Sequence, residues 1–75
     1  MNNSDIKILL VDDEPDILEI VGYNLKNEGY KVYTSTNGIE AVKSAKKIIP
    51  DLILLDIMMP EIANLIQIIN CLTII

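Results

Sequence analysis

The sequence predicts an α/β domain built on a parallel sheet, with elements in the order β-α-β-α-β. Three observations predict it. Two short runs rich in Ile, Leu and Val, at residues 6–11 and 51–56, each end in acids. Two stretches between them place apolar residues at helical spacing. Pro and Gly punctuate the joints. Strands that alternate with helices through short connections imply right-handed crossovers, with helices on the faces of the sheet.

Residues 6–11, Ile-Lys-Ile-Leu-Leu-Val, are too few for a helix and suit a buried parallel strand. Pro15 follows, with Asp13 or Glu14 placed to cap and Asp16 in the first turn, all start signals for a helix. Ile17, Ile20, Val21 and Leu25 define its predicted buried face, with Asp16, Glu19, Tyr23, Lys26 and Asn27 opposite. Gly29 ends it. Residues 30–35, Tyr-Lys-Val-Tyr-Thr-Ser, alternate and favour a second strand with one wetter face.

Asn37-Gly38 has the chemistry of a hairpin turn. The next residues argue against that. Gly38, Val42, Ala45 and Ile49 keep helical spacing, with Glu40, Lys43, Ser44 and Lys47 on the other side, and Asn37 with Glu40 resembles a capping box. Pro50 ends this second helix. Residues 51–56, Asp-Leu-Ile-Leu-Leu-Asp, form a third strand, apolar enough to be buried on both faces.

Composition narrows the function. The 75 residues are 51% apolar and 23% charged, a globular balance for one small domain or a piece of one. A chain of this size buries only about 60% of its unfolded surface, so its stability is marginal. Eleven acids against six Lys give a net charge of −5, which disfavours direct nucleic-acid binding. One Cys and no His exclude a disulfide framework and a Cys/His zinc site. The N-terminus lacks the basic and long apolar regions of a signal peptide, and the uncharged stretch 62–75 is short for a membrane span. A cytoplasmic protein, with no membrane association, is expected.

Carboxylate chemistry remains. Asp12 and Asp13 follow the first strand and Asp56 closes the third. In a parallel α/β sheet ligands bind at the carboxyl ends of the strands. If strands one and three are neighbours, three carboxylates meet there, and their repulsion calls for a cation. A hard divalent ion, Mg²⁺ above all, suits oxygen ligands. A carboxylate beside a phosphoryl donor can also act as a nucleophile and form an aspartyl-phosphate. Either strand end can supply it. A single Asp at a strand end is most often a cap or turn residue, and an Asp pair before a helix can serve only its dipole. An Asp-Asp pair after one apolar strand and an Asp after another, 43–44 residues later, is a far more specific pattern.

Leu9-Leu10-Val11-Asp12-Asp13-Glu14-Pro15 and Leu54-Leu55-Asp56-Ile57-Met58-Met59-Pro60, at this separation, closely resemble the receiver domain of bacterial two-component response regulators. Gly29-Tyr30, Asn37-Gly38, Ala41 and Pro50-Asp51 fit the same family, and receivers of DNA-binding transcriptional regulators look most similar. The resemblance covers residues 6–60. It implies a flavodoxin-like topology of five parallel strands and five helices. It also implies that Asp56 is the phosphoacceptor, modified by a sensor histidine kinase. Mg²⁺ would be held by Asp12, Asp13, Asp56 and the backbone carbonyl of Met58. Such a receiver is a phosphorylation-controlled switch for an output that this chain does not contain, and is not an enzyme in the usual sense.

The resemblance stops near Glu61. No charged residue follows it, and Asn64, Gln67, Asn70 and Thr73 recur every third position, a period that suits neither helix nor strand. The family's later switch hydroxyl and Lys have no counterpart: Thr73 stands in the wrong context and no Lys follows Lys47. The expectation is a partial receiver at 1–60 and a divergent apolar tail at 61–75, from a shifted reading frame or an interrupted gene. Signalling should then be impaired, although the acceptor is retained. The third strand would lie at an edge, where unpaired backbone invites self-association or strand pairing. A fragment acting only by such pairing is the main competing reading. A Mg²⁺-dependent phosphohydrolase fits less well, because such enzymes favour Asp-x-Asp spacing. A dinucleotide site fails for want of a Gly-rich turn.

Overall fold

The computed structural model describes residues 2–55 and, as backbone, 73–74. A 3₁₀ turn at Asn3–Asp5 precedes β1 (Lys7–Val11), α1 (Pro15–Asn27), β2 (Lys31–Ser35), α2 (Gly38–Ile48), β3 (Leu52–Leu55) and β4 (Thr73–Ile74). The strands form one sheet in the order β2-β1-β3-β4, and every pair is parallel. The predicted β-α-β-α-β succession is therefore present, with each of the three strands starting one residue later than expected.

The helices cover opposite faces. Neighbouring residues of a strand point to opposite sides of a sheet. Leu9, Val11 and Ile53 form one core with Ala41 and Ala45 of α2, flanked by Val42 and Leu55. On the other face, Gly22 of α1 lies against Leu10 and Val32, close enough that an added Cβ would sit 3.9 Å from each. The first connection runs outward from β1 to β2, and the second returns across β1 to β3. Sequence order thus reverses between β1 and β3, and loops leaving a sheet at such a point diverge and open a crevice.

Ile8, Leu9, Val11 and Ile53 are buried to 2% exposure or less. Burying side chains of this size stabilises by about 1.5–3 kcal/mol each, before entropy is charged against it. Asn37 caps α2, its Oδ1 accepting the Glu40 N–H at 2.8 Å, so the helical reading of Asn37-Gly38 holds over the hairpin.

Four expectations are corrected. The buried face of α1 is Leu18 and Gly22 with half-buried Val21 and Leu25, whereas Ile17 and Ile20 are exposed, Ile20 to 60%. Glycine has no hydropathy to show, yet Gly22 faces the sheet, across from Leu10 and Val32. Ile49 is not a core residue of α2. It ends the helix in a left-handed conformation (φ 53°) and is 68% exposed, because the residue before Pro50 is barred from continuing the helix. β3 is less enclosed than its composition suggests: Ile53 is fully buried and Leu52, Leu54 and Leu55 are half-buried. Nor is β3 the edge, since Leu52 pairs with Thr73 and Ile53 with Ile74. Self-association through an unpaired third strand loses its basis at those two positions.

Candidate functional site

The register of the sheet assembles the site. Val11 pairs with Ser35 on one side and Leu55 on the other, so β2, β1 and β3 end level. The Asp12 N–H donates to the Ser35 carbonyl at 3.2 Å, carrying the β1–β2 ladder one residue beyond the strand. Ser35 is held in turn by its hydroxyl, which donates to Ser44 of α2 at 3.4 Å.

Asp12 is half-buried, and its side chain turns the chain into α1. Its Oδ1 accepts the Glu14 N–H at 2.9 Å, a local turn that short acidic side chains make readily. Glu14 is the N-cap of α1, but its side chain makes no capping bond, and Pro15 opens the helix. The predicted cap at Asp13 or Glu14 is thus only positional. The working side chain is Asp12, a role the sequence signalled only through Asx-turn chemistry.

Asp12 Oδ2 and the exposed Asp13 carboxylate have no hydrogen-bond partner among the described residues. The one ion pair among those residues is elsewhere, Lys43 to Glu40 at 3.8 Å. Two carboxylates beyond the carboxyl end of β1, with oxygens unpaired among the described residues, are a donor set suited to a hard divalent cation. Among the described residues no cluster of three metal-ligating side chains forms. Of the predicted site, the structure brings Asp12 and Asp13 to the carboxyl edge of β1. Asp56 and Met58 lie outside the described residues; Asp56 follows Leu55 in sequence, and Leu55 pairs with Val11.

Comparison with known proteins identifies the family. The family model for the response regulator receiver domain matches residues 8–70. The chain belongs to that family. As a receiver it is a module of phosphorelay signalling, with the flavodoxin-like fold. It is 50% identical over 56 residues to the alkaline phosphatase synthesis transcriptional regulatory protein PhoP of Bacillus subtilis. That match covers 75% of this chain and 23% of the relative. A response regulator receiver domain protein from Clostridium thermocellum superposes with a TM-score of 0.81 at 25% identity, over 92% of this chain and 61% of the other. The structure of histidine kinase ThkA in complex with response regulator protein TrrA gives a TM-score of 0.78 at 36% identity, over 92% of this chain and 65% of the other. The chain thus spans less than two thirds of each of these proteins. No helix among the described residues is long and apolar enough to cross a membrane.

Proposed function

We propose that this receiver accepts a phosphoryl group on Asp56 from a sensor histidine kinase, with Mg²⁺ held by Asp12, Asp13, Asp56 and the Met58 backbone carbonyl. The observation that carries the reading is the pairing of Val11 with Leu55 at the point where strand order reverses. Asp12 and Asp56 each follow directly on one member of that pair.

In the transfer, an Asp56 carboxylate oxygen attacks phosphorus as the P–N bond to the kinase imidazole breaks. The products are an acyl phosphate and a neutral histidine that has taken up a proton. When bound, Mg²⁺ would supply positive charge that offsets the carboxylates holding it. Asp12 contributes a fixed oxygen, because the Glu14 N–H orients its carboxylate. Asp13 contributes charge at the open side. The chain acts as acceptor and switch, in the cytoplasm.

The second part of the reading concerns efficiency. We read residues 1–60 as a partial receiver and 61–75 as a divergent tail, although the family model runs on to residue 70, and these 75 residues hold no Lys after Lys47 to steady the acyl phosphate. The 75-residue chain should therefore be phosphorylated weakly. Incubation with a small-molecule phosphodonor and Mg²⁺, read by intact mass, tests both parts. A substoichiometric phospho-species lost in Asp56→Ala is expected. Stoichiometric labelling would overturn the impairment, and a species that persists in Asp56→Ala would overturn the acceptor.

A further inference from the structure

β1 and β3 pose a problem of specification. Ile8–Val11 reads Ile-Leu-Leu-Val and Leu52–Leu55 reads Leu-Ile-Leu-Leu, so both strands are apolar on both sides. A slip of one residue sends every side chain of a strand to the opposite face, an error that alternation of apolar and polar residues normally penalises. Here such a slip exchanges Leu for Ile or for another Leu. Hydrophobic pattern alone discriminates poorly between registers.

Polar contacts at the far end of the sheet do discriminate. The Lys7 N–H donates to Asp51 Oδ2 at 2.8 Å, and the Asp51 N–H donates to the Lys7 carbonyl at 2.8 Å. The side chain of Asp51 thus takes the place of a backbone acceptor at the first rung. Lys7 Nζ also donates to the Ile48 carbonyl at 3.0 Å, in the last turn of α2, where a cation is favoured. Between these two anchors the chain turns through left-handed Ile49 and buried Pro50. Among the described residues these are the side-chain hydrogen bonds that join β1 to the segment entering β3.

We propose that Asp51 is a positioning residue for Asp56: its carboxylate fixes the register of β3 on β1, and thereby which residue leaves β3 beside Asp12. The inference rests on the reading of Asp56 as phosphoacceptor. Asp12 lies five positions after Lys7, and Asp56 five positions after Asp51. Parallel strands rise equally, at about 3.3 Å per residue, so a register set at one end is carried some 16 Å to the other. A slip by one would present Leu55 or Ile57 in place of the acceptor.

The test compares Asp51→Ala, which removes the acceptor oxygen, with Asp51→Asn, which keeps one. Val21→Ala serves as a control, since it weakens α1 without touching the rung. Two quantities are read: cross-strand NMR contacts between Val11 and Leu55, and the phosphodonor labelling rate of Asp56 per folded molecule. Spectra are recorded with a stabilising osmolyte, and Asp51→Ser provides a second truncation if Asp51→Ala does not fold. Asp51→Ala should lose the Val11–Leu55 contacts or replace them by slipped ones. Its labelling should fall on the order of tenfold or more, since an ångström of misplacement at a reacting centre is costly. Asp51→Asn and Val21→Ala should stay close to the native chain. Native contacts retained in the truncated variants would overturn the proposal, as would an equal loss of labelling in Val21→Ala. If the native chain is not labelled at Asp56, the acceptor reading fails, and the NMR contacts alone decide whether Asp51 sets the register.

Discussion

The carboxylate of Asp12 accepts the backbone N–H of Glu14 at 2.9 Å, so the residue that follows β1 also aims the start of α1. One oxygen is engaged in that turn and the other has no partner among the described residues. Structure and site are therefore separable at this residue, because an amide can make the turn without carrying the charge.

Asp12→Asn should keep the turn and lose the ion. Titration with Mg²⁺, followed by the Glu14 amide resonance, should shift the native chain and leave Asp12→Asn unmoved, with an unchanged melting temperature. Asp12→Ala should lose both, at about 0.5–1.5 kcal/mol of stability for the missing hydrogen bond. A Mg²⁺ shift that survives in Asp12→Asn would remove Asp12 from the ligand set.

The same substitution should act with opposite sign at two glycines. Gly22 lies inside α1 with van der Waals room for a Cβ, so Gly22→Ala should stabilise by roughly 0.5–1 kcal/mol. Gly29 has φ 98°, and a Cβ there would come within 3.3 Å of the Asn3 Cβ. Gly29→Ala should destabilise by about 1–2 kcal/mol. Denaturant melts of the two variants check the pair.

At the end of α2, Ile49 holds a left-handed backbone that a β-branched residue adopts only under strain. It is 68% exposed and gives up little burial if replaced. Relief of about 1–2 kcal/mol, less the greater freedom of glycine when unfolded, leaves Ile49→Gly more stable by up to about 1 kcal/mol. A lower melting temperature in Ile49→Gly would show that the side chain packs more than its exposure indicates.

Removing the cap of α2 should be costly. Asn37→Ala takes away the acceptor for the Glu40 N–H and should cost about 1 kcal/mol, whereas Asn37→Gly should cost only a few tenths. Amide hydrogen exchange at Glu40 and Ala41 should rise first.

What the sequence discloses here follows the range of the interaction. Asn37 capping Glu40 is settled within four residues, and so it was legible. The carboxyl-edge position of Asp12 and Asp13 was legible too, because an apolar strand followed by acids needs no partner to be recognised. The inner face of α1 was not. Ile17 and Ile20 carry the hydropathy, but Leu18 and Gly22 are the residues buried, and that choice rests on the sheet residues across the interface, which lie far away in sequence. The pairing of Leu52 and Ile53 with Thr73 and Ile74 was equally hidden, since two residues carry no period. Asp51 read as a strand end, and its grip on Lys7 spans 44 positions of sequence.

The uniform apolar character of β1 and β3 bears on how this chain tolerates genetic change. Exchanges among Ile, Leu and Val within either strand alter volume slightly and leave the spacing between Lys7 and Asp12, and between Asp51 and Asp56, intact. Deleting a single codon from either strand leaves composition almost unchanged but brings the two ends of the sheet out of step. In these ten or so residues, length is inherited more strictly than identity.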